Sequence, residues 1–303
     1  MRPPLPTFQH ARPSDEHAVD IDLARALLAE QHRDLAKRPI TAAATGWDNA
    51  MFRLGEDLGL RLPRRAIGAD LIAKEQRWLP ALAAGLPAAI PAPVRIGRPG
   101  CGYPWPWSIT PWLPGEPAEQ APLRADQAPR LGAFLKALHR PAPPEAPFNP
   151  YRSITLAERA ANTCATLDRI AASRPDLIGK TVRGAWDAAV AAEIDIGPTW
   201  IHGDLHARNV LSDGGVLSGV IDWGDMAAGD PATDLYGLWM LTPNRVAHAA
   251  ALAAYGGVSE PTLRRARGWA ITMGAVLFEA GGASDPGLAA MGERTLRAIQ
   301  DEA

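Results

Sequence analysis

Two stretches of the chain hold an aspartate in a setting suited to phosphoryl chemistry, HRDLAKRP at 32–39 and HGDLHARN at 202–209. In the second, Asp204 and Asn209 stand five apart, and the chain continues through VLS, the turn DGG at 213–215, VLSGVI and Asp222. Short apolar runs around such a turn predict a β-hairpin. Neighbouring strands lie about 5 Å apart, so the residues flanking a hairpin meet, and Asn209 and Asp222 can share one cation. An amide oxygen and a carboxylate are hard donors that suit Mg²⁺, which takes waters and substrate phosphates for its other positions. Asp204, not needed for the metal, is free to orient or deprotonate an acceptor hydroxyl. The first stretch lacks this context. His32-Arg33-Asp34 continues an amphipathic helix and the fifth residue after Asp34 is Pro39, so a solvated helix end is expected there.

The elements that must position these residues divide the chain in two. A helix at 20–32 is followed by short extended runs at 40–45, 50–54 and 58–63, a helix at 70–82, and strands at 93–99 and 106–112. Beyond residue 120 the pattern is helical: Leu131, Phe134, Leu135 and Leu138 form one apolar stripe. Further helices are expected at 155–172, 178–192, 231–241, 244–255, 260–280 and 286–300, with 200–222 as the only strand-like interruption. The predicted class is α+β. A small, mainly β lobe with one inserted helix (1–110) and a larger, mainly α lobe (119–303) are joined by the Pro-rich connector 111–118. Clefts between lobes are common ligand sites.

Composition narrows the functions. The apolar share, 47%, is ample for a core, and a net charge of −2 disfavours nucleic acid as a partner. Residues 1–113 are basic by three charges and residues 114–303 acidic by five. The two cysteines, Cys101 and Cys164, lack metal-ligand spacing and read as reduced thiols. The N-terminal MRPPLPTFQHARPSDE has no signal-peptide core, and WAITMGAVLF at 269–278 is too short to span a bilayer, so a cytoplasmic protein is expected. A histidine near an aspartate also suits a hydrolase, but no G-x-S-x-G element supplies the nucleophile. GWDN at 46–49 (Gly46, Trp47, Asp48, Asn49) is a tight turn between strands whose N–H groups can cover phosphates. Asp230, before Pro231, reads as a helix N-cap.

IHGDLHARNVL followed by VIDWGD resembles the aminoglycoside phosphotransferase family and its relatives within the protein-kinase-like fold. There HGDxxxxN stands where protein kinases have HRDxxxxN, and IDWGD where they have DFG. The resemblance implies the bilobal kinase-like fold, with ATP or GTP as donor and Mg²⁺ as cofactor. It implies a basic residue on the third strand, here Arg61 in place of the usual lysine, pinned by Glu75 of the next helix; Arg64 and Arg65 remain alternatives. It further implies base contacts from Pro111 C=O and Leu113 N–H with Thr110 behind them, a buried Asp234 bracing the catalytic loop, and a similar bracing role for His202. His206 occupies the position of a γ-phosphate lysine, and Arg208 is the candidate to supply that charge.

The expected reaction is phosphoryl transfer to a small-molecule hydroxyl. The acidic second part suits a cationic acceptor, first an aminoglycoside. A macrolide, or a metabolite such as an amino sugar, choline or a homoserine-like alcohol, would need the same motifs. The rival of another class is a nucleotide-binding scaffold without turnover.

Overall fold

Alternation along NAMFRL turns Ala50, Phe52 and Leu54 inward and leaves Asn49, Met51 and Arg53 half-buried. In the computed structural model, which describes residues 14–302, this run is the second strand of a five-stranded antiparallel sheet. Most of the stretch read for a signal peptide therefore lies outside the described residues. The elements of the first unit are α1 (Ile21–Gln31), β1 (Ile40–Thr45), β2 (Asn49–Leu54), β3 (Leu58–Pro63), α2 (Ala66–Ala83), β4 (Arg95–Gly97) and β5 (Trp107–Pro111), with sheet order β1-β2-β3-β5-β4. Asp20 caps α1 by accepting the Leu23 N–H at 2.8 Å. Leu27 and Leu28 of α1 join Phe52, Leu60, Leu62, Trp107 and Ile109 of the sheet in one core.

The second unit comprises 115–218 and 225–302, whereas 219–224 cluster with the sheet unit. Its elements are β6 (Glu116–Pro117), α3 (Ala128–Leu138), α4 (Leu156–Ser173), α5 (Lys180–Val190), β7 (Thr199–Ile201), β8 (Val210–Asp213), β9 (Val216–Val220), β10 (Ala227–Gly229), α6 (Ala232–Leu235), α7 (Gly237–Leu241), α8 (Arg245–Tyr255), α9 (Glu260–Gly281) and α10 (Pro286–Gln300). A reciprocal box between Thr155 and Glu158 starts α4. The run 269–278 lies in α9, which is buried on most of its faces. No helix among the described residues is long and apolar enough to cross a membrane.

Four local expectations change. Helix α1 stops at Gln31, and Asp34 falls in the following turn, with its carboxylate 3.9 Å from Arg95. The helix expected at 231–241 divides at Tyr236 into α6 and α7. β6 and β10 are additional strands; Glu-Pro and Ala-Ala-Gly carry no alternation that would have marked them.

The stripe Leu131, Phe134, Leu135 and Leu138 is fully buried, and α3 lies so close to α8 that a Cβ on Gly132 would stand 2.0 Å from the Ala251 carbonyl oxygen. Alanine inside a helix normally gains about 1 kcal/mol over glycine. Here the neighbour is backbone and cannot yield, so Gly132→Ala is expected to destabilise by about 1–3 kcal/mol, read as a lower midpoint in denaturant unfolding.

Candidate active site

The loop 202–209 leaves β7 and enters β8, and a buried carboxylate holds its start. Asp234, fully buried in α6, accepts the His202 N–H at 2.6 Å and the Gly203 N–H at 2.8 Å. His139 adds a third contact at 3.2 Å through Nε2, and its Nδ1 lies 2.9 Å from the Tyr255 hydroxyl. Two backbone donors that would otherwise be orphaned in the interior are thus satisfied. The fully buried His202 accepts the Asp204 N–H on Nδ1 at 3.2 Å. Gly203 has a φ of 86°, and a Cβ there would meet the Asp225 carbonyl at 2.8 Å and Arg152 Cγ at 3.2 Å. Only glycine fits both the angle and the space.

Asp204 follows directly. Its Oδ1 accepts Arg152 Nη2 at 2.9 Å, and His206 Nε2 lies 3.3 Å from Oδ2. Asn209 donates Nδ2 to the Asp204 carbonyl at 2.9 Å and lies 3.3 Å from Oδ2. Burial favours the neutral acid, but the charges of His206 and Arg152 outweigh it and hold the Asp204 carboxyl well below the usual range. Burial likewise opposes the Arg152 charge, and Asp204 and Asp225 reverse the balance, so Arg152 stays protonated. Asp225 accepts Arg152 Nε at 3.0 Å and Asn149 Nδ2 at 3.0 Å. The hydroxyl of the fully buried Tyr236 makes no hydrogen bond among the described residues.

Arg208 requires a correction. Its guanidinium is committed to Glu119 at 2.7 and 2.8 Å and to Asp285 at 2.6 and 2.7 Å, so that its charge is held between two carboxylates rather than offered to a phosphate. It is a clamp between the segment after β6 and the cap of α10. Asp230 accepts Ala232 N–H at 3.0 Å, as a cap would, and also receives Arg265 Nε at 2.6 Å.

In the sheet unit, Arg61 of β3 and Glu75 of α2 form a buried two-pronged pair, one bond being 3.1 Å. Burial acts against the Arg61 charge, but Glu75 outweighs it and raises the guanidinium pKa. The competing arginines are engaged elsewhere. Arg64 donates to Gly46 O at 3.3 Å and pairs with Asp15, and Arg65 lies 3.2 Å from Asp48. These contacts fasten the Gly46–Asn49 turn to the start of α2. Within the turn, Gly46 spends its N–H on Asn49 O at 2.9 Å, so that group is not available to a phosphate. Trp47 is exposed.

Segment 219–224 is fixed on the same unit. Val220 N–H donates to Ala89 O at 2.9 Å, and Lys74 donates to Gly224 O. Asp222 between them adopts a φ of 60°, rare for a residue with a side chain, and its charge is felt by both Arg61 and Glu75. It makes no hydrogen bond or ion pair among the described residues. An exposed carboxylate that makes no hydrogen bond suits a hydrated cation. No cluster of three or more His, Cys, Asp or Glu side chains among the described residues could hold a metal ion, so an ion here would draw most of its ligands from phosphates and water. At the end of β5, Trp112 donates to Asp57 O at 2.8 Å. Antiparallel alternation therefore turns Pro111 C=O and Leu113 N–H to the opposite edge, which β4 vacates, with Thr110 buried beside them.

Residues 39–269 match the phosphotransferase enzyme family. The chain belongs to this family. It is a phosphotransferase. No curated protein matches it. Among solved structures, the GDP and kanamycin complex of APH(2")-IIia is similar at a TM-score of 0.64 and 21% identity, covering 92% of this chain and 99% of the other. The gentamicin complex of APH(2")-IIa gives 0.56 and 18%, covering 93% and 97%. Macrolide 2'-phosphotransferase MphH from Brachybacterium faecium gives 0.56 and 23%, covering 90% and 97%. At these identities the likeness shows the fold, the kinase-like arrangement of a small antiparallel sheet unit and a larger helical one.

Sequence reasoning for this phosphotransferase missed Arg152, Asn149 and His139, none of which lies in a motif. Asp225 was visible as the last residue of IDWGD. Asp234→Ala strands two backbone donors and His139, so a loss of about 3 kcal/mol is expected by denaturant unfolding. Asp34→Asn, in the exposed turn after α1, is expected to leave turnover at the parent value in a steady-state assay.

Proposed function

We propose that this phosphotransferase moves the γ-phosphoryl group of Mg-ATP or Mg-GTP to a hydroxyl of an antibiotic-like acceptor, an aminoglycoside first. The carrying observation is Asp204, held ionised on a loop whose backbone is fixed by Asp234. In this reading Asp204 aligns the acceptor hydroxyl. The acceptor oxygen bonds to the γ-phosphorus, the bond to the bridging oxygen breaks, and the nucleoside diphosphate leaves. The acceptor proton passes to Asp204 and then to solvent. Arg61 holds donor phosphates, and Pro111 C=O and Leu113 N–H take the edge of the base. Asp222 and the oxygen of Asn209, at the two ends of the β8–β9 hairpin, would hold Mg²⁺. When bound, the ion neutralises charge on the phosphates. Catalysis is then mainly positioning and electrostatics.

The acceptor class rests on the acid excess of 114–303 and on the kanamycin and gentamicin named for two neighbours. A second reading, a macrolide-like acceptor, is favoured by a cavity of about 610 Å³ in the helical unit. Phe148, Ile154, Leu156, Ile194 and Ile196 line it, and the same stretch carries Arg152.

The deciding experiment incubates the protein with Mg²⁺, ATP or GTP, and pooled aminoglycosides, macrolides and amino sugars, followed by mass spectrometry. A gain of about 80 Da on one compound, absent with Asp204→Asn, names donor and acceptor together. No product from any pool, and no hydrolysis of bound nucleotide, would favour the scaffold without turnover. Asp204→Asn is expected to keep Mg-nucleotide affinity while turnover falls by about three orders of magnitude; unchanged turnover refutes the base. Asp222→Ala is expected to lose Mg²⁺-dependent nucleotide binding, and normal affinity by calorimetry would refute its role.

A further inference from the structure

The catalytic loop lacks a fixed cation of its own: Arg208 is spent on Glu119 and Asp285, and the third residue of the triplet after Gly203 is His206. Beside Asp204 the loop itself places the imidazole of His206, and a guanidinium comes from outside the loop, from the turn before α4. Arg152 reaches Asp204 Oδ1 through Nη2 at 2.9 Å, Asp225 Oδ2 through Nε at 3.0 Å and the Met273 sulfur through Nη1 at 3.2 Å. All three nitrogens of the fork are engaged, and the side chain is 14% exposed. A planar guanidinium shared by two carboxylates fixes their orientation as well as their charge, which an ammonium cannot do.

The fork is itself aimed. Asn149 Oδ1 accepts the Tyr151 N–H at 2.8 Å and the Arg152 N–H at 3.2 Å. The same amide donates Nδ2 to the Asp225 carboxylate at 3.0 Å and to its carbonyl at 3.2 Å. One side chain therefore sets the backbone of Arg152 and the carboxylate that receives it. Gly203, packed against Arg152 Cγ, supplies the space. The ordering runs Asn149 to Asp225 and Arg152, then to Asp204.

Resting on the reading of Asp204 as the base, we infer that Arg152, aimed by Asn149 and Asp225, is the positioning residue that holds the Asp204 carboxylate in its reactive rotation. Arg152 acts through Asp204 and contacts no donor phosphate in this role. Its loss must therefore appear in kcat and not in donor affinity.

The test measures kcat and nucleotide KM for Arg152→Ala, Arg152→Lys and Asn149→Ala, with Asp204→Asn alongside. The assay follows the acceptor found in the mass-spectrometric screen, and hydrolysis of Mg-nucleotide to water in its absence. For Arg152→Ala, kcat is expected to fall about 10²-fold, the cost of a misplaced reacting group, with nucleotide KM unchanged. Arg152→Lys keeps the charge but loses the fork, and is expected to recover only part of the loss. Added guanidinium ion at tens of millimolar, well below denaturing levels, is expected to restore turnover to Arg152→Ala. Ammonium at equal ionic strength is not. Rescue separates positioning from folding, since a variant that is merely destabilised gains nothing from the ion.

Full kcat in Arg152→Ala overturns the inference. So does a loss that follows the melting temperature and resists guanidinium, or a change confined to KM. If Asp204→Asn is inactive while Arg152→Ala is unimpaired, the base stands and only the inference falls. If Asp204→Asn turns over normally, or the parent chain shows no turnover at all, the base fails and the inference fails with it.

Discussion

One buried carboxylate organises the helical unit. Asp234 receives the backbone N–H groups of His202 and Gly203 and a ring nitrogen of His139. A carboxylate at zero exposure is tolerable only because both of its oxygens accept directed hydrogen bonds. The benefit is geometric. With two consecutive peptide groups fixed, the chain enters Gly203 at a positive φ, and the next side chain, Asp204, leaves in one direction. Everything that meets Asp204 presupposes this turn.

Around that point the unit is built as nested supports from distant parts of the chain. His139 ends α3, Asn149 and Arg152 precede α4, Asp225 follows the hairpin, and Asp234 opens α6. The sheet unit uses the opposite economy. Arg61 and Glu75 are fourteen residues apart, and the strand-then-helix order alone brings them together. The segment 219–224 is then fastened to that pair's neighbourhood through Lys74 and Ala89.

This difference explains what the sequence made legible. Strand β2 and helix α3 announce themselves by period, because burial of one face imposes it. Asp204, Asn209 and Asp222 are legible because a loop and a hairpin fix their spacing. Asp234 emerged from the resemblance, and its bonds to the loop agree with it. Arg152 was not legible: YRS at 151–153 has neither period nor motif, and the residue gains meaning only when Asn149 folds the turn. Arg208 misled for the converse reason. It is near Asp204 in sequence, yet Glu119 and Asp285 compete for it from 89 and 77 residues away. Arg61, Arg64 and Arg65 likewise differ in which carboxylates lie within reach: Glu75 for Arg61, Asp15 for Arg64 and Asp48 for Arg65.

The chain enters the helical unit after Pro114, returns to the sheet unit for residues 219–224, and leaves it again at Asp225. The sheet unit is therefore not a contiguous stretch of the gene. A recombination that exchanged it with that of a relative by a single crossover near residue 114 would leave Asp222 behind, and with it the unit's unpartnered carboxylate. The two units cannot be exchanged as two blocks. A swap of the sheet unit needs a double crossover that carries a six-residue insert along with the first 114.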